Sequence, residues 1–423
     1  MIKQPQMLRD KLVLSVWIVL MFSITFFLRG SSMLMALLSI LFFIDKAPLK
    51  KFLNQFKNAY TYVFFLPFLL AITGMINTEN QAVGWHYVEV SLSFVIFPFL
   101  ATDFSRLKIE TKWKKGFLAF VTGIIFSFLL CLIRALIRLP EMQSPYIFFY
   151  TQFSGFIMAP NHLSNYVLFA IILVIIALVD RKQYYLPIKS FSLLLLMLVV
   201  LLVFLILLSS KASLLILGLL GISFLIYLGR HKILSWAAII IIGLFTISAS
   251  LIVINQTILK VRIQSMSIIF QPDRIDYTIA ESTTTRLSAI QSSADLISQN
   301  WYLGYGTGDV RDELTKYYKS NQYIGAYKYG TNPHNQFLRS FLAWGITGLA
   351  SLILLFAVLF RQAKIHQKSI IWLWTVMMLI LFLTDDMLSI HAGVVYFTMF
   401  SALFIFAINK EKTHDPFFTT KNG

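Results

Sequence analysis

The stretch PIKSFSLLLLMLVVLLVFLILL, residues 187–208, contains no acidic residue and a single basic one, Lys189. Its length matches the roughly 20 mostly apolar residues that a helix needs to cross a bilayer. Hydrophobic types make up 58% of the whole chain and charged types only 13%, whereas soluble domains average roughly 45–50% apolar and about 25% charged residues. The composition therefore excludes a water-soluble fold and indicates an integral membrane protein.

Similar apolar runs recur along the chain and predict an all-α polytopic membrane protein of about twelve transmembrane helices. We divide it into residues 1–254 with the first nine helices, one large extracytoplasmic helical loop over 255–338, and residues 339–423 with three helices and a tail. The twelve predicted spans are residues 12–28, 31–45, 59–76, 87–102, 116–138, 162–179, 187–208, 212–228, 234–254, 339–360, 369–384 and 390–408.

The basic residues are distributed asymmetrically along this topology. If the N-terminus lies in the cytoplasm, every predicted cytoplasmic segment carries lysine or arginine, as the positive-inside rule requires. Lys3, Arg9 and Lys11 precede the first apolar run, which we interpret as a retained helix rather than a cleaved signal peptide. The net charge of +17 thus has a membrane explanation, and we expect cytoplasmic termini and no binding to nucleic acid.

The loop 255–338 has a pattern of its own. Apolar residues recur at helical spacing between residues 281 and 299, and a Ser-Thr pair can cap the start of this helix. The glycine-rich stretch WYLGYGTG, residues 301–308, ends it. A second, more polar helix is predicted over about 309–319, and an Asn-Pro turn at 332–333 precedes the next span.

Polar side chains gather at the extracytoplasmic ends of the predicted spans and in the loop. Ionisable groups next to hydrocarbon are costly and are therefore often functional. The candidates are His162, Ser210, Lys211, Asp385, Asp386 and His391 at the span ends, and Arg286, Arg311 and His334 in the loop.

His334 and Arg286 are the sharpest of these candidates. A neutral imidazole can take a proton from a sugar hydroxyl, although a histidine that anchors the interface by hydrogen bonds is the alternative. A guanidinium can bind a diphosphate bidentately, although on sequence alone a solvated charge on a polar helix face is the simpler explanation of Arg286. Arg311 carries the same two interpretations.

The remaining candidates also have two interpretations each. Lys211 could pair with a lipid phosphate or with Asp385 or Asp386, or it could extend its amine to the interface. The two aspartates could orient a histidine or bind a cation, or be solvated turn residues. His162 could contact substrate or form an interfacial hydrogen bond.

Several catalytic signatures are absent from the sequence. It contains no Walker A loop, no His-Glu-x-x-His, no Gly-x-Ser-x-Gly and no Asp-x-Asp pair. The outer histidines show no metal-ligand spacing, so no metal site is expected. Cys131, the one cysteine, lies in an apolar run and is not expected to act as a nucleophile.

Short motifs in the second half of the chain form a combined pattern. A loop arginine, Arg286, begins a helix, NWYLGYG follows at 300–306, Pro-His-Asn occupies 333–335, and GITG lies at 345–348 within the next apolar run. Together they resemble the signature region of the O-antigen ligase and polymerase family of bacterial envelope proteins. Ser209-Ser210-Lys211 resembles a family Ser-x-Arg element, with lysine in place of arginine.

This resemblance implies a GT-C-like membrane fold and metal-independent, inverting glycosyl transfer from a polyprenyl-diphosphate-linked glycan. His334 would deprotonate the acceptor hydroxyl, and Arg286 with Lys211 would neutralise the diphosphate. The leading expectation is an O-antigen ligase of the bacterial inner membrane that joins glycan from undecaprenyl diphosphate to the lipid A core oligosaccharide on the periplasmic face, without a cofactor. The further residues expected in substrate binding are Arg311, His162, Ser210, Asp385, Asp386 and Asn335.

Three other functions remain open at this stage. A polymerase would use the same donor with a second lipid-linked repeat as acceptor, and an oligosaccharyltransferase would act on protein. A lipid-linked glycan flippase or transporter would predict repeated halves and polar residues through the bilayer, and the sequence has neither. We expect the loop to form a partial lid over a cavity completed by the outer ends of predicted helices 6, 7, 8 and 11.

Overall fold

Helices and short turns account for the architecture, and no strand occurs in the part of the chain described. The computed structural model describes residues 3–45, 48–106, 110–179, 186–230 and 282–407. Its helices are α1 (Lys3–Ser23), α2 (Leu28–Phe43), α3 (Pro48–Gln55), α4 (Ala59–Thr73), α5 (Gln81–Ser91), α6 (Ser93–Arg106), α7 (Glu110–Met142), α8 (Tyr150–Ser154), α9 (Pro160–Val179), α10 (Phe191–Leu208), α11 (Lys211–Arg230), α12 (Ser282–Gln299), α13 (Val310–Ser320), α14 (Ile324–Tyr329), α15 (Gln336–His366), α16 (Ser369–Thr384) and α17 (His391–Ala402).

Helices long and apolar enough to cross a membrane confirm the polytopic class. Within the described ranges there are six, or seven if residues 29–43 and 48–55, bent by 104° from each other, form one span. The predicted span 234–254, part of the loop (255–281) and the tail from residue 408 lie outside the described residues. The six are Ala59–Asn77, Gln81–Ala101, Lys114–Met142, Pro160–Val179, Phe191–Leu208 and Gln336–His366.

Helix α9 lies at the centre of the bundle. Side chains all around it are buried, which is typical of a helix that is apolar on every face. Phe169 packs edge-on against Trp374 of α16 at 4.8 Å between ring centroids, and Tyr166 stacks on Tyr396 of α17 at 4.1 Å. The Tyr166 hydroxyl donates to the Ala392 carbonyl at 2.8 Å. These contacts pack α9 against α16 and α17.

Helix α15 is broken at Trp344 and Gly345, in its N-terminal third, where sequence periodicity predicts a continuous span. Trp344 and Gly345 have non-helical backbone angles, and Gly345 has φ +58°. Their departure from helical geometry leaves the carbonyls of Leu342 and Ala343 without the usual helical donors, and the backbone N–H groups of Tyr305 and Gly306 donate to them at 2.8 and 3.0 Å. The glycine-rich stretch therefore supplies the hydrogen-bond donors that α15 lacks at its break.

A second anchor joins the same stretch to the start of α5. The Asp309 carboxylate accepts hydrogen bonds from the backbone N–H groups of Glu79 at 2.8 Å and Asn80 at 2.7 Å. The Thr307 hydroxyl donates to the Ala71 carbonyl at 2.8 Å and accepts from the Trp344 indole N–H at 3.0 Å. Together with the packing of α12 against α15, these bonds hold the described part of the loop on the helical bundle.

Candidate active site

A cleft lies where the beginnings of α9, α11 and α12 meet the end of α16. It encloses about 400 Å³ of space, counting the part open to solvent. Three helix N-termini carry partial positive charge toward this region, and two cationic side chains add to it. The residues lining the cleft are Tyr150, Asn161, Asn165, Ser210, Lys211, Ala212, Arg286, Leu381, Thr384 and Asp385.

Lys211 reaches the cleft because the chain reverses direction just before it. Ser209 adopts a left-handed conformation with φ +50°, which ends α10 and lets α11 begin at Lys211. A chain of hydroxyl contacts then joins α11 to α9: Ser210 Oγ lies 3.2 Å from Ser213 Oγ, and Ser213 Oγ lies 2.7 Å from Ser164 Oγ. This buried polar network fixes the position of Lys211 relative to α9.

Arg286 enters the cleft from the loop. It lies in the second turn of α12, a helix whose predicted existence is confirmed over Ser282–Gln299. The neighbouring Thr285, Ser288 and Ala289 are buried, which fixes the rotation of the helix and directs the half-buried Arg286 toward the cleft. The fold thus places Lys211 and Arg286, 75 positions apart in the sequence, in the lining of one cleft.

His334 and Asp385 form a pair beside the cleft. His334 Nδ1 lies 3.3 Å from Asp385 Oδ1. Burial alone would raise the pKa of Asp385, but the hydrogen bond with His334 and the charges of His162, His334 and Arg286 outweigh it, and the pKa falls below its usual value. An ionised carboxylate can only accept, so Nδ1 of His334 is the donor in this bond, and in the neutral form of the imidazole the lone pair lies on Nε2.

Asp386, the next residue, faces a different partner. Its Oδ2 lies 3.9 Å from Nη1 of Arg339, and both side chains are buried. The Arg339 guanidinium also stacks on Tyr87, at 4.3 Å from its ring centroid. Burial, followed by the negative charge of Asp385, raises the pKa of Asp386 to about 6. The two adjacent aspartates therefore have opposite electrostatic environments.

Three other predicted residues occupy distinct positions. Asn335 caps α15, since its side-chain oxygen accepts from the backbone N–H groups of Phe337 at 2.9 Å and Leu338 at 3.1 Å. His162 lies near the charges of His334 and Asp385, and its buried Nδ1 has no hydrogen-bond partner among the described residues. Arg311 is exposed on α13 beside Gly330, outside the cleft lining.

One group in the described ranges could hold a metal ion. His334, Asp385 and Asp386 each offer a ligand atom, and these atoms lie within 4.8 Å of one another. Sequence spacing gave no sign of this trio, because the histidine and the aspartates come from different helix ends. Arg339 already supplies positive charge next to Asp386.

Some residues of the site were not singled out from the sequence. Arg339 was a usable signal, because it is the first residue of the predicted span 339–360, and a cation next to hydrocarbon is costly and suggests a function. Tyr150, Asn161, Asn165 and Thr384 line the cleft, but nothing in their sequence context distinguishes them from interfacial polar residues.

Comparison with known proteins supports the motif pattern. Residues 195–353 match a family model described as O-antigen ligase, which confirms the resemblance drawn from the motifs. The matched segment contains Ser210, Lys211, Arg286 and His334, whereas Asp385 and Asp386 lie beyond it. The search of curated proteins found no match.

Proposed function

We propose that this protein transfers a glycan from undecaprenyl diphosphate to the lipid A core oligosaccharide. The premise of this proposal is the match of residues 195–353 to the O-antigen ligase family model. The observation that carries the proposal is the shared cleft of Lys211, Arg286 and Asp385, with Asp385 bonded to His334. Cations for a diphosphate and an oriented imidazole for a hydroxyl are the two requirements of this reaction.

The cleft is suited to the donor diphosphate. Lys211 and Arg286 both line it, and the convergent starts of α9, α11 and α12 add backbone N–H groups and partial positive charge. In this proposal the cations neutralise the charge that develops on the leaving diphosphate, and the prenyl chain lies along the outer leaflet. Donors placed in advance in a partly dehydrated site stabilise such charge by several kcal/mol.

The imidazole of His334 is suited to the acceptor. Asp385 accepts a hydrogen bond from Nδ1–H, so Nε2 of the neutral imidazole removes the proton from the acceptor hydroxyl. The resulting oxygen nucleophile attacks the anomeric carbon while the bond from that carbon to the diphosphate oxygen breaks. Undecaprenyl diphosphate leaves with the electron pair, and a single displacement inverts the anomeric configuration.

The proposal includes a topology of twelve spans in the bacterial inner membrane. Both termini are cytoplasmic, and the cleft opens to the periplasm. The loop 255–338 acts as a partial lid, since α12 contributes Arg286 to the cleft and the glycine-rich stretch docks on α15. Cysteine labelling of positions 57 and 316 from either side of the membrane tests this arrangement, with position 57 inside and position 316 outside.

Deletion of the gene tests the function through the envelope glycans. Loss of ligation leaves full-length polymer on the carrier lipid and core without polymer. Single repeats attached to core would indicate the polymerase instead, and unchanged glycans would reject both. Complementation with Arg286→Ala or His334→Ala is expected to fail at normal membrane levels, whereas Lys319→Gln, which alters an exposed cation in the last turn of α13, restores the glycan.

A further inference from the structure

Three consecutive large apolar residues of the outer loop lie on the surface of the described part of the chain. Trp301, Tyr302 and Leu303 are 54, 64 and 60% exposed, and the sequence from residue 296 to residue 308 contains no charged residue. An apolar run that faces water is unfavourable, and such patches commonly mark an interaction surface. We call these three residues the WYL turn and treat it as a candidate interaction surface.

Backbone contacts with α15 hold the WYL turn in this orientation. The Ile346 backbone N–H donates to the Trp301 carbonyl at 2.9 Å, and an added Cβ on Gly345 would overlap the Tyr302 carbonyl. Gly304 has φ +74°, and a Cβ there would lie 2.6 Å from the Gly345 backbone nitrogen. Main chain therefore packs on main chain, and the three large side chains are left on the outside.

The WYL turn adjoins a stripe of exposed residues that runs along α15. The stripe contains Ile346 and then Ile353, Leu354 and Ala357, which follow it by seven, eight and eleven positions and so share one face of the helix. Because α15 is long and apolar enough to cross a membrane, this face meets lipid. The hydrogen bond to Ile346 makes the surface of the WYL turn continuous with a lipid-facing surface.

The depth of the WYL turn follows from its position along α15. Ile346 lies fifteen residues before Arg361, a distance of about 22 Å at the helical rise of about 1.5 Å per residue. In the proposed topology Arg361 marks the cytoplasmic end of this span, and the hydrocarbon core is about 30 Å thick. Ile346 and the carbonyl of Trp301 therefore lie in the outer half of the hydrocarbon core.

We propose that the WYL turn inserts into the outer leaflet and holds the loop on the membrane by contact with lipid acyl chains. Tryptophan and tyrosine are enriched near this level in membrane proteins. Backbone groups at such a depth need partners; the Trp301 carbonyl accepts from Ile346, and the Gly304 carbonyl accepts from the Asn300 side chain at 2.7 Å. Depth and continuity with α15 favour lipid over a protein partner. The proposal rests on the proposed topology and not on the transfer reaction.

This insertion also bears on the cation that the loop contributes to the cleft. Arg286 lies in the second turn of α12 and lines the cleft, whereas the other end of the same helix, Gln299, is two residues from the WYL turn. Between residues 286 and 299 the helix extends about 20 Å. Contact with lipid at one end of α12 therefore restrains the helix that presents Arg286 at the other end.

Spin labelling in proteoliposomes measures where the WYL turn lies. The chain has one cysteine, Cys131, so Cys131→Ala gives a background in which a single nitroxide is attached at Leu303→Cys. The relaxing agents are molecular oxygen, which concentrates in hydrocarbon, and a water-soluble nickel chelate. Ile353→Cys in the exposed stripe of α15 is the lipid reference, and Lys319→Cys, an exposed position on α13, is the water reference.

The oxygen-to-nickel ratio of relaxation at position 303 is expected to match that at position 353 and to exceed that at position 319 at least about fivefold, as for a label in hydrocarbon. Trp301→Cys carries the same expectation and serves if Leu303→Cys does not fold. A ratio equal to that at position 319 overturns the insertion. Protection from both agents also overturns it, because protein would then cover the turn.

Transfer by the unlabelled protein, measured in the same liposomes, separates the two proposals. Transfer together with a water-like label at position 303 rejects the insertion and leaves the transferase function standing. A lipid-like label in a protein that transfers nothing supports the insertion and rejects the proposed reaction. An inverted topology in the labelling of positions 57 and 316 would overturn the assignment to the outer leaflet.

Discussion

Asp385 holds the imidazole of His334 at 3.3 Å between Oδ1 and Nδ1, across 51 positions of sequence. The same Oδ1 accepts the backbone N–H of Asp386 at 3.0 Å. One carboxylate oxygen therefore orients both the proposed base and the turn that carries the second aspartate. The relationship resembles the way a carboxylate fixes the tautomer of a catalytic histidine in hydrolases.

Asp385→Asn is expected to lower transfer by roughly 10²–10⁴-fold, the usual contribution of a positioned base. The amide keeps the shape of the side chain but can donate to Nδ1, which moves the imidazole proton to Nε2 and removes the lone pair. Initial rates in proteoliposomes measure the effect. Asp312→Asn is the control, because that carboxylate accepts from the Asn80 side chain at 2.8 Å and does not line the cleft. A rate within twofold of wild type for Asp385→Asn would refute the orienting role.

Arg286→Gln and Lys211→Gln are each expected to reduce transfer by roughly 10²–10³-fold, because each removes a cation from the charge that develops on the leaving diphosphate. The acceptor KM should remain unchanged, since in the proposed mechanism both residues contact the donor diphosphate and not the acceptor. Rates with the donor and then the acceptor varied, the other substrate being saturating, measure this. A defect confined to the acceptor KM would contradict the assignment of the cleft to the donor.

Gly345→Ala is expected to destabilise the protein by about 2 kcal/mol or more, because an alanine is strained at positive φ. The residue has φ +58°, and an added Cβ would overlap the Tyr302 carbonyl. Thermal denaturation in detergent and proteolysis of residues 300–309 report the loosened contact. Gly218→Ala is the matched control: a Cβ there meets nothing within 4 Å, so its stability should equal or exceed that of wild type.

Asp386 should make the stability of the protein depend on pH. Its pKa is raised by burial to about 6 in the folded state, against roughly 3.9 for an unperturbed aspartate. A group of this kind stabilises the fold fully below its unfolded pKa, and this contribution is lost as the pH rises through the folded value. The full change corresponds to about 3 kcal/mol.

Melting temperatures of wild type and Asp386→Asn between pH 4 and 8 test this dependence. Relative to the variant, the wild type should lose stability from about pH 4 to about pH 6 and change little above that. The lowered pKa of Asp385 affects both proteins and acts below this range. A difference between the two proteins that is constant with pH would contradict the raised pKa, whatever its size.

Apolar periodicity was sufficient to locate most of the described helices. The predicted span 369–384 coincides with α16, and the helix expected over 281–299 is α12. Boundaries set by local turns were less accurate: α1 ends at Ser23 within the predicted span 12–28, and the span predicted over 87–102 is divided between α5 and α6. Hydropathy reports the length of an apolar run, whereas caps and tight turns decide where the helix stops.

The sequence predicted which residues of the site share one side of the membrane, but not which side chain each of them contacts. Charge alternation placed Lys211, Arg286, His334 and Asp385 on one side, and the fold brings them together. Nothing in the sequence distinguishes Asp385 from Asp386, because their difference comes from the helices that face them. The break at Gly345 was also missed, since its cause is the approach of residues 301–306 from elsewhere in the chain.

The docking of the glycine-rich stretch on α15 has a consequence for biogenesis. The N–H groups of Tyr305 and Gly306 bond to carbonyls at Leu342 and Ala343, which the ribosome synthesises later. The stretch must therefore wait, hydrated, until α15 has entered the membrane behind it. The contact between the stretch and the helix that follows it therefore forms only after Leu342 and Ala343 have been synthesised.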